Sequence, residues 1–459
     1  MIPDASEFAE PFVPFRNIQI LIAVVVVCLL CHVRAEQLRY GGKIGYNIQL
    51  IEEKYVDKVD PDELYIAAMQ GIVSKLDEFS DFIPPSSYEE FQAVIEQHFG
   101  GVGILIEGPP QADRLTVVMP LPGSPAYEAG LRPGDVITKI DDKSTSGLNT
   151  DQASKLMRGP IGESVTLTVK RRGETPVEFK ITRDDIAVDS VYGDRTRDDS
   201  LSEFMLEEDE RIAYIRVSLF GEKTAREFAK AIETVNDKAE AVVIDLRFNP
   251  GGILDAAVAM CDMLIDEGII VSTNGRTAQS KTQVEATNGT LLKRDIPIVV
   301  LVNDGSASAS EIMAGCLQDS GRALIAGSRS YGKGTVQQVF SLDSDKTALK
   351  FTTARFYRPS GANIHRTPEM KPEDQWGIQP EEELALDLEQ SAQIRINRRW
   401  WRRNDPRAIN DPQAPPTPDY AGDPQLELAV LRLQQTLNAD SSSASATGDV
   451  NAQGALRDE

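Results

Sequence analysis

Val299-Val300-Leu301-Val302-Asn303-Asp304-Gly305-Ser306-Ala307-Ser308-Ala309-Ser310-Glu311-Ile312 is the stretch around which this chain is organised. An apolar, β-branched run meets a glycine and three serines, and a helical pattern opens at once. That reads as a buried strand, a tight turn and a helix N-terminus, whose free backbone N–H groups favour negative charge. Ser308-Ala309-Ser310-Glu311 also fits a capping box, a serine at the cap with a glutamate three residues on. A serine in this place is a helix cap, or a nucleophile beside a ready-made anion site.

Working outward, the same alternation of strand and helix recurs upstream. Ile212 to Phe220 reads as a strand and Thr224 to Val235 as a helix. Ala241-Val242-Val243-Ile244-Asp245-Leu246-Arg247 is a buried strand ending in Phe248-Asn249-Pro250-Gly251-Gly252, with a helix over Leu254–Leu264. Downstream, Leu324–Gly327 is a short strand, Tyr331–Gln338 is strand-like, and Leu349 to Tyr357 is another strand. This order predicts an α/β layer with largely parallel pairing over residues 186–390, with sites at the carboxyl ends of strands.

Composition narrows the function. The chain has 459 residues, 41% hydrophobic and 26% charged, which predicts two or three globular domains. A net charge of −23 argues against a nucleic-acid partner. Only three histidines occur, His32, His98 and His365, so neither a multi-histidine metal site nor a Ser–His–Asp triad is expected. No cofactor is predicted. The four cysteines form no disulfide framework, and Cys261 and Cys316 read as small core residues.

The N-terminus is polar over 1–17. An apolar run of 16 residues follows from Ile18 to Val33. As a helix it would span roughly 24 Å, short of the ~30 Å hydrocarbon core. Residues 18–35 suit a signal-peptide core, with Val33-Arg34-Ala35 as cleavage site, or a single membrane anchor. Either places the rest of the chain outside the cytoplasm, in the cell envelope or periplasm. Residues 44–97 predict a helical module. One helix carries Ile48, Leu50, Ile51 and Tyr55. A second is opened by Asp60-Pro61-Asp62-Glu63 with Leu64, Ala67, Ala68, Gly71, Ile72 and Leu76 inside, and ended by Pro84-Pro85. A third covers Tyr88–Gln97.

Residues 98–185 change character. Gly100-Gly101-Val102-Gly103-Ile104-Leu105-Ile106 is a glycine loop entering a strand. Leu115–Val118, a helix over Asp151–Met157 and a strand over Val165–Val169 follow. The order, and Gly130-Leu131-Arg132-Pro133-Gly134-Asp135-Val136-Ile137 in particular, resembles a PDZ domain. In such a domain the loop Gly101, Val102, Gly103 and Ile104 would take a terminal carboxylate on its N–H groups while the strand edge adds a peptide. Ile104 and Ile106, facing Leu156, would accept an apolar last side chain.

Lys333 lies 25 residues after Ser308 between two glycines, and burial of a lysine lowers its pKa toward that of a base. A Ser–Lys pair needs no histidine. Gln337, four residues on, shares a face with Lys333 in an extended segment. The Asn249–Gly252 turn and Ala309 N–H could together form an oxyanion hole.

The combination resembles the carboxyl-terminal processing proteases. It rests on Tyr55-Val56-Asp57, Phe82-Ile83-Pro84-Pro85, the PDZ stretch, Asp245–Gly252, Gly305–Ile312 and Tyr331–Gln337, in family order over residues 46–385. The resemblance implies a ClpP/crotonase-like α/β protease core with an inserted PDZ domain acting as substrate gate. It implies Ser308 as nucleophile, Lys333 as general base, Gln337 as the residue orienting it, and Gly251, Gly252 and Ala309 as oxyanion donors. Arg158 matches a family position that can link PDZ domain and core. Expected partners are proteins or peptides with apolar C-termini; an activating adaptor, an oligomer and membrane association through the N-terminus stay open.

Two features depart from the pattern: an insertion over Arg366–Trp376, and an N-terminus that is not a clean signal peptide. A C-terminal extension over 391–437 holds Arg398–Arg403 with Trp400 and Trp401, read as packed, and a helix opened by Asp423-Pro424. Residues 438–459 are expected to be a disordered tail, and Glu207-Glu208-Asp209-Glu210 a solvated loop. The rival readings are an inert PDZ scaffold binding protein C-termini and an acyl-CoA enzyme.

Overall fold

The computed structural model describes residues 15–37, 39–108, 114–171, 175–197, 201–342, 346–405 and 422–454. Residues 1–14 of the polar N-terminal segment and the last five of the tail lie outside that set. So do the side chains of the expected cleavage site. The chain divides into two units, Met1–Pro84 and Pro85–Glu459.

In the first unit, helices span Phe15–Gln37, Arg39–Lys54 and Pro61–Val73, and a short strand covers Asp81–Ile83. Asp60 caps the third helix by accepting from Asp62 N–H, with Pro61 at its first position. That helix stops at Val73 rather than at Pro84-Pro85. Gly71, Ile72 and Leu76, expected inside, are exposed, and Val73 is its buried residue. The 3.6-residue period marks an apolar face but does not say what covers it. Among the described residues no helix is long and apolar enough to cross a membrane.

The second unit opens with the helix Pro85–Glu96 and holds two folded layers. Two strands, His98–Gly101 and Asp184–Ala187, pair antiparallel and carry the chain into and out of a smaller body. That body is a six-stranded sheet, with Ile104–Glu107 at its edge and the helix Thr150–Met157 packed over it. Leu131, Ile137, Ile140, Leu167 and Ala153 form its core.

The larger body is a five-stranded sheet in the spatial order Val191–Tyr192, Ile212–Val217, Ala241–Asp245, Ile298–Val302 and Ala323–Gly327. The first pairing is antiparallel and the other three parallel, as the alternating pattern predicts. The three central strands are buried on both faces. Ala213, Ile215 and Val217 point to one layer, made by helices Thr224–Val235, Leu254–Asp262 and Ala309–Asp319. Ile212 and Tyr214 point to the other, closed by Trp400 and by Leu426, Ala429, Val430 and Leu433. A second sheet joins Ile269–Gly275, Thr282–Glu285 and the long hairpin Thr335–Leu342/Thr347–Tyr357.

The C-terminal extension is structural. Trp400 and Trp401 pack edge-on against Tyr192, and Arg403 pairs with Asp194 at 2.7 Å. The acidic run is not simply solvated. Glu207 and Glu208 also meet Arg403, and Asp209 accepts from Arg211 and Gln434. The last helix runs Pro424–Gly454, through residues expected to be disordered, because no proline or glycine interrupts it before Gly448.

Candidate active site

Ser308 stands at the start of the helix Ala309–Asp319, with φ 55° and ψ −112°. Positive φ costs a residue with a Cβ about 1–3 kcal/mol, and such strain persists only where surrounding contacts over-determine it. Those contacts are present. Ser306 Oγ donates to Leu246 O at 2.7 Å, and Ser310 Oγ donates to Asn249 O at 2.9 Å. Ala307 N–H donates to Asn249 O at 3.0 Å. Ser306 thus ties the serine turn to the end of the neighbouring strand, and Ser310 and Ala307 tie it to the Asn249–Gly252 turn that follows. Asn303 Oδ1 accepts from Phe248 N–H, itself at φ 62°.

The Asn249–Gly252 turn can come this close only through its glycines. A Cβ on Gly251 would lie 2.6 Å from Ala307 O and 2.8 Å from Ser308 Cβ. A Cβ on Gly252 would lie 2.1 Å from Phe220 O. The predicted oxyanion donors differ in state. Gly251 N–H is already given to Asn249 Oδ1 at 2.9 Å, so this glycine supplies close approach. The Gly252 and Ala309 N–H groups make no hydrogen bond among the described residues.

Glu311 is the residue whose role the sequence concealed. It has no solvent exposure, and its two oxygens take four donors. Ser330 Oγ lies at 2.5 Å, Gly332 N–H at 2.7 Å, and Lys333 N–H and Ser308 N–H at 2.8 Å each. One contact is the helix-cap contact that the S-x-x-E spacing predicts. The other three reach the lysine segment, some twenty residues on, and no local pattern could show them. Burial pushes the Glu311 carboxyl above its ordinary pKa, while the four hydrogen bonds hold it down. One carboxylate therefore spaces the Lys333 backbone from the Ser308 backbone.

Ser308, Ala309, Lys333, Gln337, Gly251 and Gly252 line a single cavity of about 500 Å³. Its walls are otherwise mostly apolar, including Leu219, Leu254, Ile312, Val336, Val339 and Phe356, with Asp255 and Lys350 among the lining residues. Gln337 gives its amide N–H to the Thr335 and Thr352 hydroxyls at 2.9 and 3.1 Å, which fixes the side chain. Below the Asn249–Gly252 turn, Arg247 is 2% exposed and bridges Asp245 to Asp423 at 2.7 Å each, and Asp245 also takes the Tyr214 hydroxyl. The C-terminal helix thereby holds the strand that carries the turn. Among the described residues no group of three or more His, Cys, Asp and Glu could hold a metal ion.

The predicted peptide loop lies apart from this cavity, in the smaller body. Gly101 ends the strand His98–Gly101, Val102 is buried, and Ile104 begins the edge strand. Gly103 sits at φ 73°, and a Cβ there would lie 2.2 Å from Ser124 Cβ. Its carbonyl accepts from Leu121 N–H at 2.9 Å and Ser124 Oγ at 2.8 Å. Ile104, Ile106 and Leu156 are half-buried along the adjoining groove. Arg158, beside it, pairs with Glu90 at 3.1 Å and stacks on Phe99.

A serine on a helix start, a lysine held across from it by a buried carboxylate and a PDZ-like body inserted ahead define the class, a serine-type peptidase. The comparisons agree. Residues 211–384 match peptidase family S41 and residues 116–171 match the PDZ domain. A carboxy-terminal-processing protease of Bartonella bacilliformis is 38% identical over 329 residues, 70% of this chain and 72% of that protein. A carboxyl-terminal-processing protease of Synechocystis is 36% identical over 353 residues, 76% and 78% of the two chains. A crystal structure from Bacteroides fragilis, described as an S41 protease, superposes with a TM-score of 0.50 at 15% identity, covering 76% of this chain and 91% of that one. This chain belongs to peptidase family S41, the carboxy-terminal processing proteases. It is a serine-type peptidase with a PDZ domain, and its substrates are proteins.

Proposed function

We propose that the protein is an endopeptidase that cleaves through Ser308 with Lys333 as general base, on proteins whose C-termini its PDZ domain holds. The observation that supports this most is the convergence of Ser308, Lys333 and the unengaged Gly252 and Ala309 N–H groups on one cavity. The Lys333 amine, neutral at that moment, takes the Ser308 hydroxyl proton as Oγ attacks the peptide carbonyl. The carbonyl oxygen gains negative charge and is met by the Ala309 N–H at the positive end of the Ala309–Asp319 helix and by the Gly252 N–H of the facing turn. The ammonium returns its proton to the leaving amine, an acyl-enzyme remains on Ser308, and water activated by the same lysine releases it. Gln337, tied to two threonines, steadies the lysine side of the cavity.

The half-buried Ile104, Ile106 and Leu156 favour an apolar last residue on the substrate, with its carboxylate at the Gly101–Ile104 loop. The apolar helix Phe15–Gln37, exposed along Ile20–Leu30, supports export from the cytoplasm with this segment as signal core or membrane-associated element. Osmotic-shock fractionation of expressing cells tests the location.

Casein and a peptide with an apolar C-terminus are the direct substrates for the test. Wild type should cut both, while Ser308→Ala and Lys333→Ala should each lose at least about 10³-fold in kcat with unchanged circular dichroism. Full activity in Lys333→Ala would sink the mechanism.

A further inference from the structure

The Arg366–Trp376 insertion is not a free surface loop: it lies on the back of the segment that carries Lys333. Arg366 N–H donates to Gly332 O at 2.8 Å, and Gly377 N–H closes the base of the excursion on Ile364 O at 2.9 Å. Trp376 is gripped between two guanidiniums, Arg329 at 4.6 Å and Arg366 at 4.5 Å from its ring centre. Its indole N–H has no hydrogen-bond partner among the described residues, so stacking holds the ring. Arg329 in turn donates to Pro372 O at 2.9 Å and Asp374 O at 3.3 Å, which fastens the crest of the excursion.

The fit to the lysine segment is close. A Cβ on Gly332, at φ 90°, would lie 2.8 Å from Arg366 Cβ and 3.0 Å from Trp376 Cε3. A Cβ on Gly334 would lie 2.7 Å from His365 N. At the far end, Ile378 N–H donates to Ser330 Oγ at 2.7 Å, the hydroxyl that donates to Glu311. Glu311 takes the N–H groups of Gly332 and Lys333 on one side, and the excursion takes the Gly332 carbonyl on the other. Gly332, the residue before the lysine, cannot move outward without displacing Arg366 and Trp376.

We propose that residues 366–376 form a positioning strap for Lys333, keyed by Trp376 and locked by Arg366 and Arg329. Trp376 and Arg366 are positioning residues: they act through the Gly332 backbone and set where the amine sits relative to Ser308. The inference rests on the Ser308–Lys333 reading, and its test separates from the test of that reading. Misplacing a reacting group by about 1 Å costs on the order of 10²-fold in rate. Trp376→Ala should therefore lower kcat by about 10- to 100-fold with KM within about twofold of wild type.

The pH dependence of kcat discriminates positioning from stability. A displaced lysine meets a different environment, so the midpoint of the rising limb should move in Trp376→Ala. Loss of folded protein would lower only its height. Trp376→Phe, which keeps an aromatic face between the guanidiniums, should restore both kcat and the midpoint. Arg366→Ala should fall between wild type and Trp376→Ala, and Lys371→Ala, exposed at the crest, should match wild type. Should Trp376→Ala not fold, the Arg366→Ala and Trp376→Phe pair decides the matter by the same readouts. A wild-type kcat and midpoint in Trp376→Ala and Arg366→Ala, with Lys333→Ala inactive, overturns the strap while leaving the Ser–Lys mechanism standing. An active Lys333→Ala overturns both.

Discussion

Two glycine-bearing turns in this molecule, the ones proposed to offer backbone N–H groups to a peptide, are built in opposite ways. The turn before Ser308 is fastened from every side. Buried Glu311 takes four donors, Ser306 and Ser310 bind carbonyls of the neighbouring strand end, and Gly251 packs against Ser308 itself. The loop before Ile104 is held by two carbonyls, Val102 O on Ala126 N–H and Gly103 O on Leu121 and Ser124. Its apolar groove residues stay half open. Chemistry needs atoms held to fractions of an ångström, whereas peptide capture needs an edge that accepts many sequences.

The sharpest way to break the contrast is Glu311→Ala. Four donors, one of them from the Lys333 backbone, would lose their acceptor inside the core. Each unsatisfied buried group costs about 1–3 kcal/mol. We expect loss of activity together with a large drop in Tm, measured by peptide hydrolysis and differential scanning calorimetry. Glu311→Gln keeps the shape and should fold, with kcat reduced on the order of 10²-fold because an amide N–H now faces a donor.

The same residue carries a pH signature. Its folded-state pKa lies above the usual carboxylate value, so native protein keeps the proton where unfolded chain has released it. Stability from this group therefore falls as pH rises from the ordinary carboxylate range through the raised value. The Glu311→Gln variant should show a flatter Tm-against-pH curve there; an identical slope in both proteins would remove Glu311 as the source.

Gly251→Ala comes next. Its Cβ would meet Ala307 O at 2.6 Å at φ 98°, so the two turns must part. We expect kcat to fall at least about tenfold, with a stability loss of about 1–3 kcal/mol read from urea melts. On the open side, Gly103→Ala should act on KM for C-terminally anchored substrates and spare hydrolysis of a short internal peptide. Equal losses on both substrates would show that the two turns are not separable. Ser124→Ala is the mildest test, removing a hydrogen bond to Gly103 O worth about 1 kcal/mol together with the longer cap contact from Tyr127 N–H, and raising KM a few-fold.

Much of the fold was legible locally. The buried runs at 241–245 and 298–302, the glycines at their ends and the helices beginning at Leu254 and Ala309 follow from period and composition. So does the packed, rather than solvent-facing, role of Trp400. The N-terminal helices were less legible. An apolar face at Leu64, Ile72 and Leu76 shows that a helix can be covered, not that it is. The length of the last helix is not legible either, since an alanine- and serine-rich stretch reads equally as coil or helix.

What the sequence by itself determined is the chemistry on offer: a serine at a strand-to-helix turn, a lysine between glycines, a histidine-poor chain and an inserted PDZ pattern. Those follow from residue type and short-range spacing. Only the tertiary structure decided how they are held. It made Glu311 a clamp rather than a cap alone, withdrew Gly251 N–H into an internal hydrogen bond, and laid residues 366–376 across the back of Lys333. The Glu311 clamp and the 366–376 contact depend on residues far apart in the chain, and the Gly251 bond, though only two residues long, forms in a turn whose shape the distant Ser308 segment sets. Hydrogen bonds and steric fit act over a few ångströms in space, and no local pattern records which distant backbone will arrive there.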